Sequence, residues 1–285
     1  MRDPMTAAGP TPGLCVLIAV LNNTTGLRQS LASLRRDPAR FDVLVVDDGS
    51  VEPLRAETLI VPGRRVEVIR LPHNHGLGTA LNIGLRWTAE RGYCYVGRLD
   101  AGDEIDKERF QKQLAVLADM PECVLVASDV LFTDTCGNPL WLHQTPTEDR
   151  SIRRSLLYGN CLIHPSVTMR VATVMEVGSY SGRASVTEDY DLFRRLSRAG
   201  TFISIAETLT KCRYYPDGIS VRSLYRQRFQ RLLVQARLFE PMNVHAYLGV
   251  IRSILAMMAP GRANEWRKML LTGNQLPSYE DRASN

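Results

Sequence analysis

Short β-branched runs alternate with helix-period segments along most of the chain, the pattern of parallel strands covered by helices on both faces. Strands are predicted at Cys15 to Val20, Asp42 to Val46, Val66 to Arg70, Tyr93 to Arg98 and Cys123 to Ser128. Between them, Leu27, Leu31 and Leu34 mark one helical face, Ala80, Ile83, Leu85 and Trp87 a second, and Phe110, Leu114 and Leu117 a third. A doubly wound α/β sheet is the simplest arrangement. The stretch Leu131 to Leu142, with Asp134, Gly137 and Asn138 between apolar runs, reads as a hairpin, so the sheet is expected to be mixed and mostly parallel. From Val221 onward the period is helical, with Leu224, Phe229, Leu232, Leu233 and Ala236 apolar and Arg222, Arg226, Gln230 and Arg237 polar. A second helix is predicted around Val244 to Met258.

The predicted organisation is a flexible N-terminus (1–13), one α/β domain (14–220) and a helical tail (221–285). Charge singles out the tail: residues 217–285 carry 10 of the 35 Lys and Arg but only 5 of the 30 Asp and Glu, so the whole excess of +5 lies there. No nucleic-acid partner is expected from so local an excess. The six cysteines form neither CxxC pairs nor a dense framework and read as reduced thiols. The N-terminus lacks a signal-peptide pattern and the run Leu14 to Leu21 is too short to span a bilayer, so a cytoplasmic protein is expected.

Ligands of open α/β sheets bind beyond the carboxyl ends of the strands, so polar residues that follow strands are the first candidates. Asp47-Asp48-Gly49-Ser50 follows the second strand. It serves a turn or helix cap, or it offers an acceptor to a nucleobase imide or ribose hydroxyl. Asn74 to Gly84 opens a helix with Gly76-x-Gly78, but Leu81 occupies the third glycine position of a dinucleotide fingerprint, which excludes that reading. Its small residues could let backbone approach a phosphate, while Gly84 also suits close packing. Arg98-Leu99-Asp100-Ala101-Gly102-Asp103-Glu104-Ile105-Asp106 holds more carboxylates than a turn needs, since Asp106 suffices as a cap; the surplus calls for a hard divalent cation. Ser185 to Phe193 opens a helix running to about Ala199; Ser185 and Glu188 fit a capping box, but three carboxylates in four residues exceed that role and offer a general base.

Taken in order, these clusters resemble the inverting family 2 glycosyltransferases of the GT-A fold, over about residues 14 to 220. Val20-Leu21-Asn22 stands at the family's VYN-like tripeptide, with Leu21 in place of tyrosine. Asp47 to Ser50 matches its nucleotide-binding DDGS, Asn74 to Gly84 its NxGxxxAxNxG pattern, and Arg98 to Asp103 a variant of its DxD. His164-Pro165-Ser166 resembles its HPS and Thr187-Glu188-Asp189 its TED.

The resemblance implies a GT-A, Rossmann-like sheet flanked by helices, with Asp189 as catalytic base. It implies a donor site at Asn22, Asp48, Asn82, Arg98 and Asp100, a Mg²⁺ or Mn²⁺ site at Asp103 and Asp100, and an acceptor side at His164, Glu188 and Asp191. The implied substrates are a UDP-, GDP- or dTDP-sugar and a glycan or lipid-linked glycan, in bacterial surface polysaccharide or lipopolysaccharide assembly. Gly102 replaces the second aspartate of the usual motif, and Arg213-Tyr214-Tyr215-Pro216 stands where members often carry a histidine, leaving Tyr and Arg as candidates for the diphosphate. A non-catalytic nucleotide-sugar binder with a decayed metal site is the alternative. A sugar nucleotidyltransferase is disfavoured because Asn22-Asn23-Thr24-Thr25 follows the first strand in place of a Gly-rich, Arg-containing loop. In the tail, Arg222, Arg226, Arg228, Arg231 and Arg237 could meet an anionic inner leaflet, or the helix could pack on the domain with its arginines solvated or pairing phosphates.

Overall fold

A computed structural model describes residues 13–182, 186–215 and 223–258. Ser185, Pro216 and Arg222, each named above, lie outside the described residues. One sheet runs through the molecule in the order β3-β2-β1-β4-β8-β6-β9-β5, with β7 on β6. Its first part is parallel: β1 (Leu14–Val20) lies between β2 (Phe41–Asp47) and β4 (Tyr95–Arg98), and β3 (Val66–Arg70) borders β2. In the second part, β6 (Cys123–Thr133) runs parallel to β9 (Thr201–Arg213) and antiparallel to β8 (Thr168–Arg170), which also pairs antiparallel with β4. The predicted hairpin is β6 with β7 (Pro139–His143), and β5 (Glu104–Ile105) edges β9.

Strands buried on both faces need apolar residues at every position, and β1 shows the consequence. Leu14, Val16, Ile18 and Val20 pack against Leu27, Leu31 and Leu34 of α1 (Thr24–Leu34) and against Phe110 of α3 (Arg109–Asp119). Cys15 and Leu17 face the other way, toward Ala80, Leu81 and Leu85 of α2 (Leu77–Glu90). Gly84 sits where a Cβ would fall 2.3 Å from Leu17 Cδ1, so α2 comes close to β1 because that position has no side chain. The same core layer reaches α4 (Asp149–Tyr158), α5 (Val171–Glu176) and α6 (Glu188–Leu196).

The tail forms α7 (Leu224–Arg237) and α8 (Val244–Met258). Of its described arginines Arg228 is buried and Arg231 half-buried, whereas Arg226, Arg237 and Arg252 are exposed; Arg237 nonetheless pairs with the fully buried Asp191 of α6. Gln235 Nε2 donates to the Leu157 carbonyl, and Arg194 Nη2 donates to the Leu238 carbonyl, 2.8 and 2.7 Å. α8 meets the end of α4 through Ala246, Gly249 and Ser253; a Cβ on Gly249 would lie 2.0 Å from the Leu157 oxygen. No helix among the described residues is long and apolar enough to cross a membrane.

Candidate active site

Because β2, β1 and β4 are adjacent and parallel, the loops after them emerge along one edge. Asn22, in the left-handed region at φ 53°, donates its N–H to Ser50 Oγ and accepts from Val51 N–H, binding the loop after β1 to that after β2. Asn23 caps α1 through Gly26 N–H and donates to the Ala101 carbonyl, binding it to the loop after β4. Asp47 is the anchor of its motif. Its carboxylate accepts from Ser50 N–H at 2.9 Å and from Arg70 at 2.6 Å, and these, with the Leu54 N–H, hold it below the usual carboxylate range although burial alone would raise it. Asp48 spans to the opening of α2, accepting from His75 N–H and Gly76 N–H at 2.8 and 2.9 Å.

Gly49 lets these two loops touch. At φ 80°, with a Cβ falling 2.4 Å from the His73 carbonyl carbon, it has no room for a side chain. Gly49→Ala is expected to cost about 1–3 kcal/mol in denaturant unfolding and to weaken nucleoside diphosphate binding measured by calorimetry; unchanged values for both would show that the approach is dispensable.

The turn after β4 is built around a buried guanidinium. Arg98 is fully buried; it donates to the Leu17 carbonyl, to Asp100 Oδ1 at 2.6 Å and through Nε to His164 Nε2 at 3.3 Å. His164 Nε2 also lies 2.6 Å from the Tyr180 hydroxyl, and burial, then Arg98, pushes its pKa well down, so the ring is neutral. Asn82 spends both ends of its amide on the Tyr180 backbone, 2.8 and 2.9 Å. Arg98, His164 and Asn82 thus form a support behind Asp100, whose side chain is 39% exposed. Asp103 is buried, accepts from Arg213 N–H at 3.0 Å, and is raised to about 7 by burial and by Asp100. The Arg213 guanidinium goes to Gln29, whereas the Tyr215 hydroxyl reaches within 3.3 Å of where a Gly102 Cβ would stand. Gly102 has φ 112° and donates its N–H to Ser30 Oγ; backbone geometry is therefore a sufficient reason for glycine there.

The start of α6 brings the third group. Asp189 Oδ2 accepts from Asn160 at 2.7 Å and Oδ1 from Tyr190 N–H at 2.7 Å. Burial first, then the Asp100 carboxylate, raises its pKa to about 6 against the Tyr190 N–H. Glu188 is raised to about 7 by burial, with Asp189 and Asp100 adding to it. Asp100 thus acts on Asp103, Glu188 and Asp189 alike, which places the turn after β4 and the start of α6 within electrostatic reach of each other. Asp191 is not among them: it lies on the far side of α6, paired with Arg195 at 2.9 Å and with Arg237, where it fastens α7. Conversely, the tail supplies Arg231, whose positive charge acts on Asp189 and whose Nη1 is 3.5 Å from where a Gly159 Cβ would lie. Its place in the sequence marks it only as one of a basic run; the signal is its packing on Gly159.

Asp100, part-exposed beside the buried Asp103, offers a carboxylate of the kind a hard cation takes when its other ligands come from a diphosphate and water. No cluster of three or more His, Cys, Asp or Glu side chains stands ready for a metal among the described residues.

The chain is 31% identical over 216 residues to the amylovoran biosynthesis glycosyltransferase AmsE of Erwinia amylovora, covering 73% of this chain and 78% of that protein. In fold it is similar to TarS (residues 1–349) of S. aureus in complex with UDP-GlcNAc, with a TM-score of 0.62 at 16% identity over 85% of this chain and 71% of the other. It is also similar to the mannosyltransferase PcManGT of Pyrobaculum calidifontis in complex with GDP-Man and Mn²⁺, with a TM-score of 0.60 at 15% identity over 93% and 81%. The fold is thus the GT-A sheet that the motifs imply. Residues 15–173 match the model of Glycosyl transferase family 2, and the chain belongs to that family of glycosyltransferases.

Proposed function

We propose that this glycosyltransferase moves a sugar from a nucleoside diphosphate to an acceptor hydroxyl with inversion at the anomeric carbon, in the assembly of a bacterial surface polysaccharide or lipopolysaccharide. The observation that carries this reading is Asp189, held by Asn160 and Tyr190 N–H in surroundings that keep its pKa near 6. A base of that strength is ionised at neutral pH and still able to take a proton. As the acceptor oxygen attacks, its proton passes to Asp189. The new C–O bond forms on the face opposite the departing diphosphate, and the electrons of the broken C–O bond leave with the phosphate. A single carboxylate serves, because the leaving group needs charge stabilisation and not protonation by a second acid.

Asp100, backed by Arg98, would hold a Mg²⁺ or Mn²⁺ ion, and the buried Asp103 would shape the turn beside it. Such an ion, when bound, supplies Lewis-acid stabilisation of the diphosphate. Asp48 and Asn22 frame the loops where a nucleoside would lie, and Glu188 borders the acceptor. His164 and Asn82 act through Arg98 and Tyr180 and do not themselves touch the sugar nucleotide. The nucleotide sugars bound by the two solved structures support UDP- and GDP-sugars as first donors to try. The acceptor is a glycan or lipid-linked glycan; the name of AmsE, an amylovoran biosynthesis glycosyltransferase, supports a role in glycan assembly.

The test is release of nucleoside diphosphate from UDP-, GDP- and dTDP-sugars by the full chain with and without Mn²⁺, with the product's anomeric configuration read by NMR. Thermal protection by a donor without release would favour a binding protein; a retained configuration would remove Asp189 as the base of a direct displacement. Turnover should fall as pH drops through about 6, where the Asp189 carboxylate gains its proton. The Arg231 charge lowers that pKa, so Arg231→Gln should move this acid limb to higher pH. A limb that stays in place in the variant would separate Arg231 from the base.

A further inference from the structure

Helix α7 sits opposite to what its composition suggests. Arg228, Val234 and Gln235 face the protein, while Tyr225, Phe229 and Leu233, one turn apart, are each about half exposed or more. The second tail helix extends the same habit: its small residues Ala246, Gly249 and Ser253 pack inward, and Tyr247, Leu248, Ile251 and Leu255 are exposed. The two helices pack side by side against α6 and α4. An apolar surface of this extent is seldom left in water by a soluble protein.

Charge selects its occupant. Residues 223–258 hold five arginines and one acid, Glu240, and α8 has no acidic residue. Arg226 and Arg252 are exposed beside the apolar side chains. At the first turn of α8 a cavity of about 850 Å³ is lined by five arginines, Arg150 and Arg154 among them, against two carboxylates, Glu148 and the Glu240 that pairs with Arg194 and Arg198. A second copy of the chain would set arginines against arginines, whereas an anionic surface satisfies both features.

We propose that the outer face of α7 and α8 rests in the interfacial layer of an anionic bilayer, its apolar side chains among acyl chains and Arg226, Arg252, Arg150 and Arg154 at the phosphates. This deepens the reading of a lipid-linked acceptor and rests on it only for that acceptor's identity, since the surface binds lipid whether or not transfer occurs. The catalytic carboxylate at the start of α6 would then work beside the membrane without any of the described helices crossing it.

The experiment is co-sedimentation of the full chain, without donor, with vesicles of phosphatidylcholine alone and of phosphatidylcholine mixed with phosphatidylglycerol. Binding to the mixed vesicles is expected, with little to the neutral ones. The double variant Ile251→Glu/Leu255→Glu should bind roughly tenfold more weakly or worse, while its circular dichroism and its nucleoside diphosphate release in solution match the parent. Arg226→Gln/Arg252→Gln should lose much of the preference for anionic lipid. Absence of binding to mixed vesicles would overturn the proposal, as would undiminished binding by the glutamate variant. A dimer seen by light scattering that the glutamate variant splits, with no vesicle binding by the parent, would give the face to a second copy instead. Vesicle binding by a chain that transfers no sugar would sink the function proposed above and leave this surface standing.

Discussion

Asp189→Asn is expected to lower transfer by about 10³-fold while leaving nucleoside diphosphate affinity nearly unchanged. The size follows from what a positioned general base contributes, about 10²–10⁴-fold. Asparagine can keep the carbonyl contact to Tyr190 N–H, but its amide then faces the Asn160 Nδ2 donor, so Asn160 must flip its own amide and give up the bond its Oδ1 accepts from Leu162 N–H; the volume is conserved while basicity is lost. Stability supplies a second readout with a definite sign. The folded-state pKa of Asp189 is raised, so the folded protein holds that proton more tightly than the unfolded chain does. Its contribution to stability therefore declines as pH rises from the ordinary carboxylate range to about 6, and the deficit persists above. Asp189→Asn removes that deficit: its melting temperature should exceed the parent's at pH 8, and the advantage should vanish near pH 4. A variant with parental turnover would take Asp189 out of the chemistry. A variant equally inactive but less stable at pH 8 would show that the carboxylate holds the loop together.

The strands that could be read from the chain are those whose burial on two faces forces unbroken apolar runs, β1 and β2 above all. Three others left no comparable trace. β5 and β8 have two and three residues, too few to show any period. β9 has an interrupted alternation because its pairing with β6 shifts register around Asp129. Its partner β6 runs on to Thr133 and becomes the first arm of the hairpin, a continuity that no local turn signal announces. The candidate site shows the same division. Carboxylates that follow strands stood out by their surplus, but which of them face a cleft depends on partners distant in sequence. Asp191 sits two residues from Asp189, yet Arg195 and Arg237 draw it to the other side of α6. Asn82 belongs to a conspicuous motif, and its amide is spent on a backbone 98 residues away. The tail was legible as two helices but not in its orientation, because amphipathicity alone does not say which face finds the protein.

Arg98 makes the strongest structural demand of any residue near the site, and Arg98→Met is expected to cost about 3–5 kcal/mol of stability together with most donor-dependent turnover. Its guanidinium is wholly buried and serves several acceptors at once: carbonyls of Leu17 and Leu99, Asp100 Oδ1 and His164 Nε2. Methionine fills similar volume but leaves those acceptors unsatisfied, and Asp100 loses the cation that orients it. Arg98→Lys separates charge from shape, since one ammonium cannot span acceptors placed for a planar fork. It should recover part of the stability but little of the affinity for Mn²⁺ with UDP, measured by calorimetry on folded protein. The buried Arg109 serves other acceptors, donating through Nη2 to the Arg98 and Val167 carbonyls and through Nε to Gln113. Unfolding of Arg98→Met at the parent's denaturant midpoint would refute the strut. Lost stability with parental affinity would confine Arg98 to the core and free Asp100 from its control. The expected pairing of both losses follows from the one side chain that joins the first strand, the neutral histidine and the exposed carboxylate.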